Sequence, residues 1–171
     1  VFIDLLPLLF HINHPALPGY CGNDTPAGIR NFKLSGQQIK SARKLNSSFA
    51  LQRDINPELN ICGLYFMGSC SSVTHNSKSD LDVWVCPASN LQEQQLEALR
   101  KKCQLINEWA QTLQLETHFF IMDAEAFKQG ERAEMTEEDC GTTQHYLLLD
   151  EFYRTSIVVA GCTPLWWYIP A

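Results

Sequence analysis

The sequence predicts an α+β domain: a small mixed sheet with helices packed on one face, preceded by an N-terminal helical segment. Three observations carry this. Asp80-Leu81-Asp82-Val83-Trp84-Val85 alternates strictly, which is the period of a strand with two different faces. Leu96, Leu99, Cys103, Ile106, Ala110 and Leu113 recur at spacings of three and four, the pattern of an amphipathic helix over residues 91–113. The run from Ile61 to Met67 is short and apolar, as buried strands are.

The elements follow in chain order. Residues 1–12 suit a short apolar helix, stopped by the turn-rich His14-Pro15-Ala16-Leu17-Pro18-Gly19 stretch. Loop continues through Asn23 to Gly28, and residues 36–50 form a modest helix that Ser35 caps. Asn56-Pro57 breaks the chain before the first strand. A polar loop from Gly68 to Ser79 joins that strand to the alternating one. The long helix over 91–113 carries Glu97 and Lys101 as a pair on its wet side. Leu115 to Met122 reads as a third strand. An acidic loop, Glu131 to Asp139, leads to a last helix from about Thr142 to Ala160, with Leu148, Phe152 and Val159 on one stripe. Two units result: a helical and loop segment over 1–60, and a core over 61–171.

Composition bounds the function. The chain has 171 residues, enough for one respectable core, and its 45% hydrophobic and 19% charged residues are ordinary for a globular domain. A formal net charge of −6 excludes a phosphate-backbone surface for nucleic acid. It accommodates a single nucleotide whose charge metal ions offset. Seven cysteines, none in a Cys-x-x-Cys pair, argue against a zinc ribbon or disulfide framework and for a reducing, cytoplasmic setting. The run from Val1 to Phe10 carries Asp4 and Pro7 and lacks a basic leader, so it reads as neither a signal peptide nor a membrane span. The apolar ending Leu165-Trp166-Trp167-Tyr168-Ile169-Pro170-Ala171 reads as part of something longer.

The feature that carries chemistry is Gly68-Ser69, a ten-residue interval, then Asp80-x-Asp82 on a strand. Residues i and i+2 of a strand share a face, so both carboxylates point one way while Leu81, Val83 and Val85 point to the core. Adjacent carboxylates repel unless a cation lies between them, and hard oxygen donors suit Mg²⁺. The Gly68-Ser69 turn offers backbone N–H groups and a hydroxyl to a phosphate, and Ser71 and Ser72 extend that loop. Glu116 is the candidate third carboxylate, with Asp123 in reserve. His118 shares the face of Glu116 and is read as a neighbour that tunes the site rather than as a ligand. Lys78 reads as a phosphate contact or a solvated side chain, and Trp84 as a base-stacking ring or as packing beneath the site. His11-x-x-His14 has helical spacing for two ligands, but Pro15 breaks the helix and no third ligand follows.

Gly68-Ser69…Ser79-Asp80-Leu81-Asp82-Val83-Trp84-Val85 resembles the signature of the polymerase-β-type nucleotidyltransferase superfamily. More narrowly, five stretches resemble the N-terminal catalytic region of the class I bacterial adenylate cyclases. They are His14-Pro15-x-x-Pro18-Gly19-Tyr20, Met67-Gly68-Ser69-x-Ser71-Ser72-Val73, Ser79-Asp80-Leu81-Asp82-x-Trp84-Val85-Cys86, Glu138-Asp139-Cys140-Gly141-x-Thr143-Gln144-His145 and Leu147 to Thr155. The resemblance implies conversion of ATP to 3′,5′-cyclic AMP and pyrophosphate. It implies two Mg²⁺ ions on Asp80, Asp82 and Glu116, and the triphosphate on Gly68, Ser69, Ser71 and Ser72. His145 and Arg154 lie in the cyclase-like blocks as candidate substrate contacts. It further implies a regulatory C-terminal region and protein regulators of sugar transport as partners. The same residues leave two other readings: nucleotidyl transfer to a protein, RNA or small-molecule acceptor, and a nucleotide-binding module without turnover.

Overall fold

The protein is represented by a computed structural model that describes residues 2–51, 58–67, 80–122, 152 and 154–163. Seven elements follow in the order α1 (Phe2–His11), α2 (Gly36–Leu45), β1 (Ile61–Met67), β2 (Leu81–Pro87), α3 (Glu93–Thr112), β3 (Thr117–Ile121) and β4 (Ile157–Gly161). The strands form one sheet in the order β3-β2-β1-β4. β1 pairs antiparallel with both β2 and β4, whereas β2 and β3 run parallel. The α+β mixed sheet expected from the sequence is therefore what forms.

Helix α1 is almost wholly apolar because it lies inside the molecule rather than on it. Phe2, Leu5, Leu6, Leu8, Leu9 and Phe10 are all buried, leaving Ile3 and Asp4 as the exposed side. Pro7 removes the N–H that would bond to the carbonyl of Ile3, on that exposed side. The ring of Phe10 meets Phe119 of β3 at 6.0 Å, and Phe2 meets Trp109 of α3 at 5.4 Å, so α1 and α3 cover the same sheet face. Leu81, Val83 and Val85 supply the sheet side of that core, as their alternation requires.

Helix α2 begins as expected. Ser35 accepts from Gln38 N–H at 3.1 Å while the Gln38 side chain accepts from Ser35 N–H at 2.9 Å, a reciprocal capping box. It ends earlier than residue 50, because Asn46 adopts an extended conformation and its side-chain oxygen accepts from Ser48 N–H at 2.9 Å. A local side-chain bond thus competes with the next helical turn. On α3, Leu99, Cys103, Ile106 and Ala110 are buried as the spacing predicts, while Leu113 lies past the last turn and is exposed. The ion pair on its wet side is Arg100–Glu93 at 2.9 Å, in place of the expected Glu97–Lys101.

The last expected element needs correction. Phe152, Arg154 and Thr155 are helical, but the helix does not reach Ala160, because Ile157–Gly161 is strand β4. The β-branched run Ile157-Val158-Val159 favours the pleated surface, and β1 supplies the hydrogen-bonding edge. Gly161 closes this strand at φ +101, where an added Cβ would strike the Cys62 carbonyl, so only glycine fits. The opposite sheet face carries a second cluster of Tyr65, Met67, Trp84, Cys86, Met122 and Phe152. Tyr65 is fully buried, and its hydroxyl donates to the Cys162 carbonyl at 2.7 Å.

Among the described residues, the buried polar side chains are Thr25, Lys102 and Thr117, and the lysine is the ionisable one. Lys102 is 1% exposed, with its ammonium 5.9 Å from the Phe10 ring centroid. Burial lowers its pKa from 10.5 to about 8, and raises that of neighbouring Cys103 from 9.0 to about 12.

Leu9→Ala should cost about 2–5 kcal/mol, read by urea denaturation, since it empties a fully buried site. For Lys102 the folded state resists protonation, so the unfolded chain binds more protons between about pH 8 and 10.5. Stability should therefore rise with pH from about 8, until ionisation of unfolded Cys103 near its ordinary value of 9.0 opposes it. Lys102→Met should add on the order of 1–3 kcal/mol at pH 7 and remove the rise between pH 8 and 9.

Candidate metal-binding site

The candidate site stands where β2 and β3 begin. Parallel pairing sets Leu81 beside Thr117 and Asp82 beside His118, and Leu81 N–H donates to the Glu116 carbonyl at 3.0 Å. With alternation on each strand, Asp80, Asp82, Glu116 and His118 fall on one face, opposite Leu81 and Thr117. Thr117 is fixed in the core side of this arrangement. It is buried and its hydroxyl donates to Asn107 Oδ1 of α3 at 2.7 Å.

The turn before β3 places Glu116. Helix α3 ends with Gln114 N–H bonded to the Gln111 carbonyl and Leu115 N–H to the Ala110 carbonyl, at 3.0 and 3.1 Å. That is a Schellman closure, with Gln114 holding the left-handed position at φ +60. Two residues later the chain enters the sheet with Glu116 beside Asp80.

Donor atoms of Asp80, Glu116 and His118 all lie within 4.8 Å of one another. His118 Nε2 is 3.8 Å from Asp80 Oδ2 and 4.0 Å from Glu116 Oε1. All three side chains are about half exposed or more, so solvent and ligands reach them. Unit charges of one sign 4 Å apart repel by only about 1 kcal/mol in water, but the repulsion grows as water is displaced. A divalent cation reverses that sign, and two carboxylates with an imidazole are a donor set that fits one.

Of the carboxylates expected from the sequence, Asp80 and Glu116 meet in this group. Asp82 lies one register position further along the same face, half-buried, opposite Met67 of β1 and His118 of β3. Trp84 follows on that face and is 2% exposed, its ring stacked on Phe152 at 5.0 Å and 15°. It occupies the packing position beneath the acids. Arg154 is exposed on the helical stretch ahead of β4. Gly68, Ser69, Ser71, Ser72, Lys78, Asp123 and His145 lie outside the described residues. His118, expected on the face of Glu116 as a neighbour that tunes the site, stands within 4.0 Å of both carboxylates.

This is an α+β domain with a cation-fitting acidic face at one end of its sheet. The chain belongs to the adenylate cyclase NT domain family, whose family model matches residues 1–167. It is 42% identical over 169 residues to the adenylate cyclase of Escherichia coli (strain K12), covering 98% of this chain and 20% of that protein. It is 39% identical to the adenylate cyclase of Yersinia intermedia and 40% to that of Proteus mirabilis, covering 98% and 97% of this chain and 20% of each relative. The chain thus spans about a fifth of the length of the curated relatives it matches. No solved structure matches it. Among the described residues, no helix is long and apolar enough to cross a membrane.

The turn before Glu116 generates a test. Gln114→Gly relieves a side chain at positive φ and should stabilise the fold by about 0.5–1 kcal/mol, measured by thermal and urea unfolding.

Proposed function

We propose that this chain is the catalytic end of an adenylate cyclase that converts ATP to 3′,5′-cyclic AMP and pyrophosphate. The observation that carries the reading is the acidic face at the start of β2 and β3, in a chain of the adenylate cyclase NT domain family. Asp80, Asp82 and Glu116 are the residues proposed to hold two Mg²⁺ ions. Such ions would acidify the ribose 3′-hydroxyl and neutralise charge on the triphosphate.

The chain's own residues then have positioning tasks. Gly68 and Ser69, with Ser71 and Ser72, would hold the triphosphate through N–H and hydroxyl donors, with Lys78, His145 and Arg154 as further contacts. The α-phosphate thereby faces the 3′-hydroxyl of the same nucleotide, in line with the bond to pyrophosphate. Attack is intramolecular, so orientation and charge stabilisation supply most of the rate. The buried cluster around Trp84 and Phe152 keeps the strand under Asp80 and Asp82 rigid, which such positioning needs.

The relatives' greater length supports a further region of the protein. A regulatory role for a C-terminal region, and protein regulators of sugar transport as partners, are proposed from the family resemblance alone. A reducing, cytoplasmic setting is proposed from the scattered cysteine spacing, which contains no Cys-x-x-Cys pair.

The test uses the full-length protein with labelled ATP and Mg²⁺. A labelled cyclic nucleotide is expected, and Asp82→Asn should lower its formation at least about a hundredfold while the circular dichroism spectrum stays unchanged. Cyclic AMP production near the unaltered level in Asp82→Asn would overturn the assignment. Label on an acceptor molecule would mark a transferase instead.

A further inference from the structure

We propose that His118 is a nitrogen ligand of the cation held by Asp80 and Glu116, and that it tilts this site toward Mn²⁺ over Mg²⁺. The inference rests on reading the acidic face as a metal site, and adds a ligand and a metal preference to it.

Geometry comes first. Neighbouring ligands of an octahedral ion bound at about 2.1 Å are about 3 Å apart, and opposite ligands about 4 Å. His118 Nε2 stands 3.8 and 4.0 Å from the two carboxylate oxygens, and the three donors converge within 4.8 Å. These separations are too long for direct hydrogen bonds and exceed the spacing of neighbouring ligands by about an ångström. Side-chain rotations that draw the donors about an ångström closer complete the set, and roughly half-exposed side chains have room for them.

The backbone makes this meeting more than a surface coincidence. Glu116 and His118 are two apart on one strand, so they share a face. Asp80 is brought beside them by the Leu81–Glu116 hydrogen bond and the Leu81–Thr117 register. Thr117, between the two β3 donors, is buried and bonded to Asn107, so the strand cannot roll to turn Glu116 and His118 away.

Chemistry then sets the preference. Mg²⁺ takes oxygen donors and water, whereas imidazole binds first-row transition ions better. Carboxylates accept both Mg²⁺ and Mn²⁺, and adding one imidazole shifts the preference toward Mn²⁺.

The experiment loads the full-length protein with Mn²⁺ alone and reads it by pulsed electron paramagnetic resonance. Nitrogen-14 modulation from a coordinated imidazole is expected in the unaltered protein and its loss in His118→Gln. The same substitution should weaken Mn²⁺ binding roughly tenfold while Mg²⁺ binding, measured by competition, changes much less. Absence of nitrogen modulation in the unaltered protein, its persistence in His118→Gln, or unchanged Mn²⁺ affinity in that variant would overturn the proposal. Asp80→Asn separates the two readings. If it abolishes Mn²⁺ binding while His118→Gln does not, only the histidine assignment falls. If neither substitution affects binding, the metal site itself is elsewhere.

Discussion

The parallel register of β2 against β3 is the constraint on which the rest depends. Parallel neighbours cannot be joined by a tight turn, so the chain must cross over through an intervening element. The 20-residue α3 is that crossover, about 30 Å long, and it returns the chain to the end of the sheet where β2 began. Its Schellman closure, Thr117 on Asn107 and the apolar stripe of Leu99, Cys103 and Ile106 all fix where β3 starts. A slip of one residue would send Glu116 and His118 into the core and Thr117 to solvent. The acids meet because the core permits no other register.

The sheet has two differently built faces, and the site uses the boundary between polar and apolar on one of them. One face is sealed by α1 and α3. The other passes from Asp80 and Asp82 to Trp84 and Cys86 within one strand, from exposed carboxylate to buried ring. That gradient anchors the acids on a packed floor while leaving their oxygens in water. The same economy explains the N-terminal segment. Ile29 bridges Ile61, and Gly28 and Arg30 bond to the same residue, so residues leading up to β1 are stitched to it directly.

Much of this was legible in the residues. β1 falls on Ile61–Met67 as expected, because an apolar run bounded by polar loops has few other uses. The alternation at 80–85 and the three-four spacing of α3 were equally readable, since each reports a single period. β4 was not, because Val159 and Ala160 continue the stripe of Phe152 as well on a helix as on a strand. The deciding fact, a free edge of β1 almost a hundred residues earlier, is not local. Lys102 was hidden for a related reason. It neighbours Cys103 on the boundary of the buried stripe, and only the placement of Phe10 shows that its stem and ammonium lie inside. Asp80, Asp82, Glu116 and His118 were legible as polar positions on strand faces, whereas the meeting of Asp80 with Glu116 and His118 follows only from the cross-strand register.

The pairing of β1 with β4 has a consequence for how the chain is made. About 90 residues separate the end of β1 from the start of β4, and a ribosome needs roughly 5–20 s to add them. β2, α3 and β3 are added within that interval, and about 35 further residues follow β3 before β4 begins, so one edge of β1 waits for its partner after the acid-bearing strands are already in the chain. The acidic face is thus encoded ahead of the strand that closes its sheet, and a chaperone or a neighbouring nascent chain would find its opening at β1.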